Sequence, residues 1–486
     1  MTELNRRTFL RGAAVTGGLA AAGPFEGLLA QGAHAAGPQG PSVRRAGYGA
    51  LRPVTDLRDG AVRLHLPAGF QYRSFSVGLV DQLVGGGVVP NRQDGMEAFQ
   101  ARRGRVRLVR NHEVNGPGTP LPHVAPYDSA AQGGTTTVEV NRDGTGAVTW
   151  VSCSGTQMNC SGGEMPWGSW VTAEETVNGP DVGPDFTGTP NTALTQPHGY
   201  IYEVPAWEGP SQVSRRVPIR SAGRFAHESV SLDPRTGALY ETEDNFNFPS
   251  GFYRYDAPVD PRRAKRIVDG GRLWMLKVKG VDNADLSGHF ANGTTFRTEW
   301  VRIADPDPTM PAGTTNDQAI VAVGNQGRAQ GAAWFSRLEG VIYSRGKHYF
   351  TSTQGGAAVP PPGQNPPAGF GDGYGQVWAY DPKRETLTMV YESPSKALLD
   401  LPDNLTISPR GSILLCEDGS VDNYLRGLTR DGFRFDFAKN AIAGKEGEEF
   451  AGATFAPNGR TLFVNIQASS SSMSFAIWGP WQRGAL

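Results

Sequence analysis

A chain of 486 residues is long enough for one large domain or two ordinary ones, and length alone does not choose between them. Lys plus Arg (46) nearly balance Asp plus Glu (47), so the net charge of −1 excludes a general electrostatic pull toward nucleic acid or anionic membrane, and any anion site has to be local. The 64 Gly and 36 Pro are spread between short apolar runs, which argues for tight turns in a β-rich fold rather than for disorder.

Residues 1–35 read as a targeting segment. Arg6 and Arg7 stand just ahead of the apolar pair Phe9-Leu10, residues 12–30 are a mildly apolar Ala/Gly/Leu stretch, and Ala33-His34-Ala35 offers a small-residue cleavage site. This is the pattern of a twin-arginine signal, expected to engage the twin-arginine export machinery. An N-terminal membrane anchor is the weaker reading, because the stretch is short and Gly-rich. The remainder, 36–486, is expected to be a single exported domain, periplasmic, cell-surface or extracellular, monomeric and without stable membrane insertion. Twin-arginine export carries folded proteins, which suits a cofactor loaded before secretion.

Along the mature chain one unit recurs: a short strand, a Pro or Gly turn, and a second strand ending in acidic or amide residues. Residues 104–113 are a partial copy, running from Gly104 to Arg110-Asn111-His112-Glu113. Residues 168–175 keep the second strand and end on Glu174-Glu175. The clearest copy starts at Glu228, turns at Pro234 and Gly237 and ends on Glu243-Asp244. Glu339 to Gly346 and on to Ser352 is another partial copy; Asp403-Asn404 turns at Pro409 and Gly411 and ends on Glu417-Asp418; residues 453–465 follow. Stretches with two-residue alternation at 199–204, 251–255, 273–278 and 375–380 supply outer strands. Six partial copies fit radial repetition: an all-β propeller, six-bladed, with long inserted loops. A two-domain β-sandwich is the rival. The Pro-rich insertion 355–375 and the polar stretches 181–197 and 281–298 show no strand alternation and are expected to be loops.

In a propeller, equivalent strand ends converge on one axis however far apart they lie in sequence. Glu228, Glu339 and Asp403 hold one repeat position, and Glu174/Glu175, Glu243/Asp244 and Glu417/Asp418 another. Any single acid among these is as readily a turn cap or a surface ion pair, but the repeated set would crowd like charges that repel unless cations sit between them. Oxygen-rich sites of that kind suit calcium. Cys153, Cys160 and Cys416 are an odd number for an oxidising compartment, so at least one thiol is unpaired or metal-bound; a Cys153–Cys416 disulfide with a free Cys160, or no bridge, are both open. Glu164 and His227 are set aside as a solvent-facing acid and a supporting or core imidazole.

The segment Cys160-Ser161-Gly162-Gly163-Glu164-Met165-Pro166-Trp167, continuing through Trp170 to Glu175, resembles the cysteine-to-double-glutamate segment of PhoX-type alkaline phosphatases. Arg110-Asn111-His112-Glu113, Thr242-Glu243-Asp244-Asn245, Phe335-Ser336-Arg337-Leu338-Glu339-Gly340 and Asp403-Asn404-Leu405 are similar in the same order, and the matches span about 110–465. The resemblance implies a twin-arginine-exported propeller with two ferric and three calcium ions around a bridging oxo group, hydrolysing small-molecule phosphate esters. It implies Cys160 as an iron ligand and Glu175, Glu243 and Glu339 as carboxylate ligands, and repeat position adds Asp244, Glu228, Asn404 and Glu417 as further ligands. Arg337 corresponds to the family arginine that holds substrate phosphate, with Asn111 donating beside it. Residues 150–159 contain no lysine, and Ala451 stands where the repeat would place an acid, with Glu449 two residues earlier. A phosphodiesterase or phosphotriesterase on the same scaffold and a calcium-stabilised binding propeller are the alternative functions.

Overall fold

The computed structural model describes residues 47–210, 216–356, 371 and 373–486; the targeting segment at 1–35 and most of the Pro-rich insertion lie outside the described residues. Named strands pair antiparallel throughout, and the alternation that marked them in the sequence appears as alternating burial, as in Thr386–Glu392, where every second residue is buried. Six inner strands, Gln93–Gln100, Asn159–Met165, His227–Leu232, Leu338–Ser344, Pro402–Ile407 and Glu449–Phe455, each contact the next, and the last contacts the first. A closed ring of this kind is a β-propeller, and each inner strand begins one blade.

Four-stranded blades are the rule; the second blade has three strands, ending with Ile201–Pro205. The core lies between blades rather than at the axis. Tyr240 and Phe252 of the third blade pack on Leu338, Phe350 and Trp378 of the fourth, with the Phe252 and Phe350 rings 4.5 Å apart and nearly parallel. Leu414, Leu425 and Phe437 of the fifth blade meet Leu462, Val464 and Phe475 of the sixth in the same way. Burying this apolar surface sets the blade-to-blade angle and leaves the axis to polar residues.

One expected loop is partly strand. Thr295–Arg302 begins inside the 281–298 stretch and pairs on one side with Arg272–Val278 and on the other with Thr386–Glu392, joining the third and fourth blades. Its sequence is half-exposed and polar, so it lacks the apolar alternation that reveals a buried strand. Residues 181–197 contain no strand. Helices are short, and no described helix is long and apolar enough to cross a membrane.

The sixth blade is completed from the other end of the chain: Gln71–Phe75 pairs with Met473–Trp478, placing Tyr72 opposite Ile477. The Tyr72 ring is fully buried among Leu64, Phe475 and their neighbours. Its hydroxyl accepts from the Arg63 and Leu64 amides at 2.8 and 3.2 Å and donates to the Val54 carbonyl at 3.1 Å. Tyr72→Ala is expected to cost about 3–5 kcal/mol, the range for removing a large buried aromatic, seen as a lowered denaturant midpoint. A loss below about 1 kcal/mol would mean that this strand does not hold the ring closed.

Candidate metal centre

Every inner strand slips register at the same place. Asp94-Gly95, Cys160-Ser161, Glu228-Ser229, Glu339-Gly340, Asp403-Asn404 and Gly452-Ala453 each stand as two residues opposite a single residue of the second strand. A β-bulge re-aims the side chain of its extra residue, and here one bulge occurs in each of the six blades at matched height. The first bulge residue goes to the cluster described below. The second residues, from Gly95 round to Ala453, line an axial cavity of about 300 Å³ together with Glu97 and Glu164.

The first bulge residues converge. Cys160 forms one group with Asp94 and Glu113 and another with Glu175 and Glu228; Glu228 forms a third with Glu339 and Asp403. Within each group the potential ligand atoms lie within 4.8 Å of one another, so the three groups, linked through Cys160 and Glu228, are a continuous array able to hold metal ions. In the sixth blade the corresponding residue is Gly452. Its φ is +59°, and a Cβ there would meet the Asp94 carbonyl at 2.4 Å and the Met96 amide at 2.8 Å, so this bulge contributes no side chain, and the acid of the sixth blade is Glu449 at the start of the same strand.

Burial and mutual repulsion dominate the electrostatics. Desolvation pushes the Glu228, Glu339 and Asp94 carboxyls well above the usual carboxylate range, and neighbouring acids add to it: Asp403 on Glu228 and Asp94, Asp244 on Glu339. Asp403 rises to about 8 through desolvation and Asp418, and Glu449 is raised by desolvation and Asp418 as well. The Cys160 thiol is also driven up, by burial first and Glu175 second, with its Sγ 2.7 Å from a Glu175 oxygen. Asp244 is the exception. Burial raises it, but the charge and hydrogen bonds of Arg337 outweigh that and hold it below its ordinary value.

Arg337 sits immediately before the fourth inner strand at φ +50°, a backbone region that non-glycine residues seldom occupy. Its Nε donates to Asp244 at 3.0 Å, and its Nη2 donates to Asp244 at 2.8 Å and to Glu339 at 2.7 Å. The guanidinium carbon lies 4.3 Å from the centre of the Phe246 ring. Arg337 is therefore fixed at one edge of the cluster, held by two of its acids, while Arg92 is paired with Glu113 at another.

Four expected site residues are placed otherwise. Glu243 and Glu417 end their second strands and, like Glu174, turn back into their own blades. Glu243 accepts from the Gly251 amide at 2.7 Å and the Tyr253 hydroxyl at 2.9 Å; Glu417 accepts from the Asp400 and Tyr424 amides, both at 3.0 Å, and from Arg426 Nε at 2.7 Å. Side chains alternate along a strand, so of each acidic pair the first straps the blade and the second, Glu175 or Asp244, reaches the cluster. Asn404 is the second residue of its bulge; its Oδ1 accepts from the Gly452 amide and its Nδ2 donates to Asp403, both at 2.7 Å, so it supports Asp403. Asn111 donates to the Cys160 and Ser161 carbonyls at 3.0 and 2.7 Å and accepts from Trp170 Nε1 at 2.9 Å. Its amide fixes the bulge that carries Cys160 instead of facing a ligand.

The sequence alone does not mark Asp94 or Glu113 as a site residue. Asp94 stands about as far ahead of its turn glycine, Gly104, as Glu228 stands ahead of Gly237, and that spacing was the available signal. Of the residues set aside, His227 is stacked on Phe225 and bonded to the Gly223 carbonyl, and Glu164 lines the axial cavity. Cys153, Cys160 and Cys416 are all free and buried, so no disulfide joins them.

Glu417→Ala separates strap from ligand. It removes one of the two carboxylates that pair with Arg426, Asp436 being the other, and is expected to cost about 1–3 kcal/mol in a denaturant titration. Elemental analysis should find the same metal content as in the wild type; loss of a whole ion would return Glu417 to the ligand set.

Comparison with known proteins bears on this arrangement. The family model described as alkaline phosphatase PhoX matches residues 46–470. No curated protein matches. Among solved structures, the PhoX of Pseudomonas fluorescens in complex with vanadate, a transition state analogue, is similar at 17% identity and a TM-score of 0.64, covering 91% of this chain and 99% of that one; the likeness is one of fold. A periplasmic gluconolactonase of Pseudomonas aeruginosa is more distant, at 15% identity and a TM-score of 0.38, covering 89% of this chain and 90% of that one.

Proposed function

This chain belongs to the alkaline phosphatase PhoX family of phosphoester hydrolases, and we propose that it is a phosphomonoesterase releasing inorganic phosphate from small organic esters with a mixed iron and calcium centre. The observation that carries the reading is the linked array of buried acids around Cys160 and Glu228 with the buried guanidinium of Arg337 at its edge, held by Asp244 and Glu339.

The residues fit such a centre. Acids this close are costly together in ionised form without cations between them, and the upward shifts described above express that cost. The two groups that contain the Cys160 sulfur suit iron, and the oxygen-only group of Glu228, Glu339 and Asp403 suits calcium. When bound, the ions would supply Lewis-acid stabilisation and an activated oxygen nucleophile.

The chain's own part is positioning. Phosphoryl transfer places negative charge on the equatorial oxygens, and a preorganised guanidinium N–H stabilises that charge. Asp244 and Glu339 hold Arg337 by Nε and Nη2, which fixes the plane of the fork, while Nη1 donates to no described residue and is the donor offered to phosphate. Asn111 and Trp170 keep the Cys160 bulge in place behind it. Export through the twin-arginine route, read from Arg6-Arg7, belongs to the same proposal and concerns residues outside those described.

The test joins metal analysis to turnover of a generic aryl phosphate before and after chelation. Iron and calcium should both be present, activity should follow their removal and return, and vanadate should inhibit. Cys160→Ala should lose iron and activity together. A Cys160→Ala protein with full iron and full turnover would overturn the ligand assignment; a metal-replete wild type inert toward phosphate monoesters would overturn the function.

A further inference from the structure

The turns that join each inner strand to the second strand of its blade lie at the end away from the bulges, so all six open on the face opposite the cluster. The inner strands run six to eight residues, which brings these turns to a common level. Five of the six turns carry arginine: Arg102, Arg103 and Arg105 in the first blade, Arg235 in the third, Arg345 in the fourth, Arg410 in the fifth and Arg460 in the sixth. Their one acid, Asp233, is buried and paired with Arg235 at 3.4 Å. Turns between third and fourth strands open on the same face and do not reverse its sign: residues 257–271 carry four cations against Asp260 and Asp269, residues 382–385 carry two against Glu385, and Arg142 and Arg430 each precede an aspartate. Glu97 and Glu164 lie inward of the ring, on the axial cavity.

A chain with a net charge of −1 is therefore divided, its buried acids drawn to one face and these arginines to the other. Arg102, Arg103, Arg345, Arg410 and Arg460 are exposed, and none of them forms an ion pair or a side-chain hydrogen bond among the described residues. Where the fifth, sixth and first blades meet, the face opens into a groove of about 740 Å³ lined by Arg142, Arg410 and Arg460 and by the rings of Trp478 and Trp481. The turns of the fifth and sixth blades touch there, since a Cβ on Gly459 would meet the Pro409 ring at 2.8 Å. The acidic side chain on this groove, Asp143, is taken up locally: one of its oxygens accepts from the Thr145 hydroxyl at 2.6 Å and from the Thr145 amide at 3.1 Å. Guanidiniums left unpaired on one face add their fields, and an anionic surface brought to that face gains from all of them at once.

We propose that this face docks the protein on an anionic lipid surface, with phospholipid headgroup phosphates meeting the turn arginines and the cluster turned toward the open side. The occupant follows from charge and shape. Arginine takes two phosphate oxygens in one planar fork, and turns that end at one level meet a plane of headgroups together, whereas a single strand of anions would reach only those along its path. Because the whole chain is close to neutral, the attraction belongs to one orientation and fades within about 10 Å at 0.1 M salt, one screening length.

Cosedimentation of the metal-replete protein with sucrose-loaded vesicles tests this without depending on turnover. At about 0.1 M salt the wild type is expected to bind vesicles containing about one-third phosphatidylglycerol and to leave pure phosphatidylcholine alone. Removing three turn cations together, by Arg345→Gln, Arg410→Gln and Arg460→Gln, should weaken binding about 100-fold, or about fivefold for each charge taken from the surface. The same charge removed from the cluster side, by Lys279→Gln, Arg297→Gln and Lys396→Gln, should change it by less than about threefold. All six positions are exposed, so both variants should melt with the wild type. Vanadate in excess should leave binding intact, because the headgroups do not enter the metal centre. Equal losses in the two triple variants, release by vanadate, or capture of a sulfated polysaccharide with no capture of vesicles overturns the docking face.

Discussion

Stripped of cations, this protein is expected to lose stability steadily as pH rises from 5 to 8 and to lose ester hydrolysis altogether. The sign follows from the direction of the shifts. Asp94, Glu228, Glu339, Glu449 and Asp403 all carry folded-state values above those of an unfolded chain, with Asp403 at about 8. Such a group binds more proton in the folded state than in the unfolded state, so its effect is neutral below the unfolded value near 4 and grows destabilising as pH climbs toward the folded value. Asp244 works the other way: its folded value is lowered, so its stabilising share is present above the unfolded value and is lost as pH falls through the folded one. Five raised acids outweigh one lowered acid, and the slope is downward. Bound cations keep the carboxylates ionised in the folded state and remove the slope. Melting curves of chelated and metal-replete protein should therefore diverge with pH, by on the order of 10 °C at pH 8. Parallel curves would show that the acids are not balanced by metal.

Arg337→Lys is expected to lower kcat/KM for phosphate esters by about 10²- to 10³-fold, the usual loss on removing one preorganised donor to a transition-state charge. Lysine keeps the charge but gathers its donors on one nitrogen, so it cannot reproduce the planar hold of Nε and Nη2 on Asp244 and Glu339 that aims Nη1 at a phosphoryl oxygen. Because the interaction strengthens as charge develops, kcat should fall with kcat/KM. Inhibition by inorganic phosphate should weaken in step. Metal content distinguishes the role from simple support of the cluster: with iron and calcium retained and kcat/KM within about threefold of wild type, Arg337 is no phosphate ligand.

Much of the fold was readable because one short unit recurs. Glu243-Asp244 follows Gly237 by six and seven residues, as Glu417-Asp418 follows Gly411, and repetition implied an axis before any contact was known. The bulges were not readable, because a two-against-one register is a property of a strand and its partner together. For the same reason Glu243 and Glu417 could not be told from their neighbours Asp244 and Asp418: which of two adjacent acids faces inward depends on where the ladder starts. Asp94 was missed because its second strand ends on His112-Glu113 rather than on an acidic pair, which weakened its likeness to the other copies. The strand Thr295–Arg302 was missed for its polarity, being recruited by the edges of two neighbouring strands as much as by its partly buried Phe296 and Trp300.

Gly452 bears on how such a site can evolve. Six copies of one unit suggest an ancestor in which all blades were interchangeable, yet the sixth copy has surrendered its side chain so that the backbone of the first can close against it. Any acid restored there would collide with the Asp94 carbonyl and push aside the residue it was meant to join. Descendants of this protein are thus free to vary five bulge donors and barred from regaining the sixth, so an acid from this blade has to come from elsewhere on its strand, as Glu449 does, and the lopsidedness of the centre is inherited.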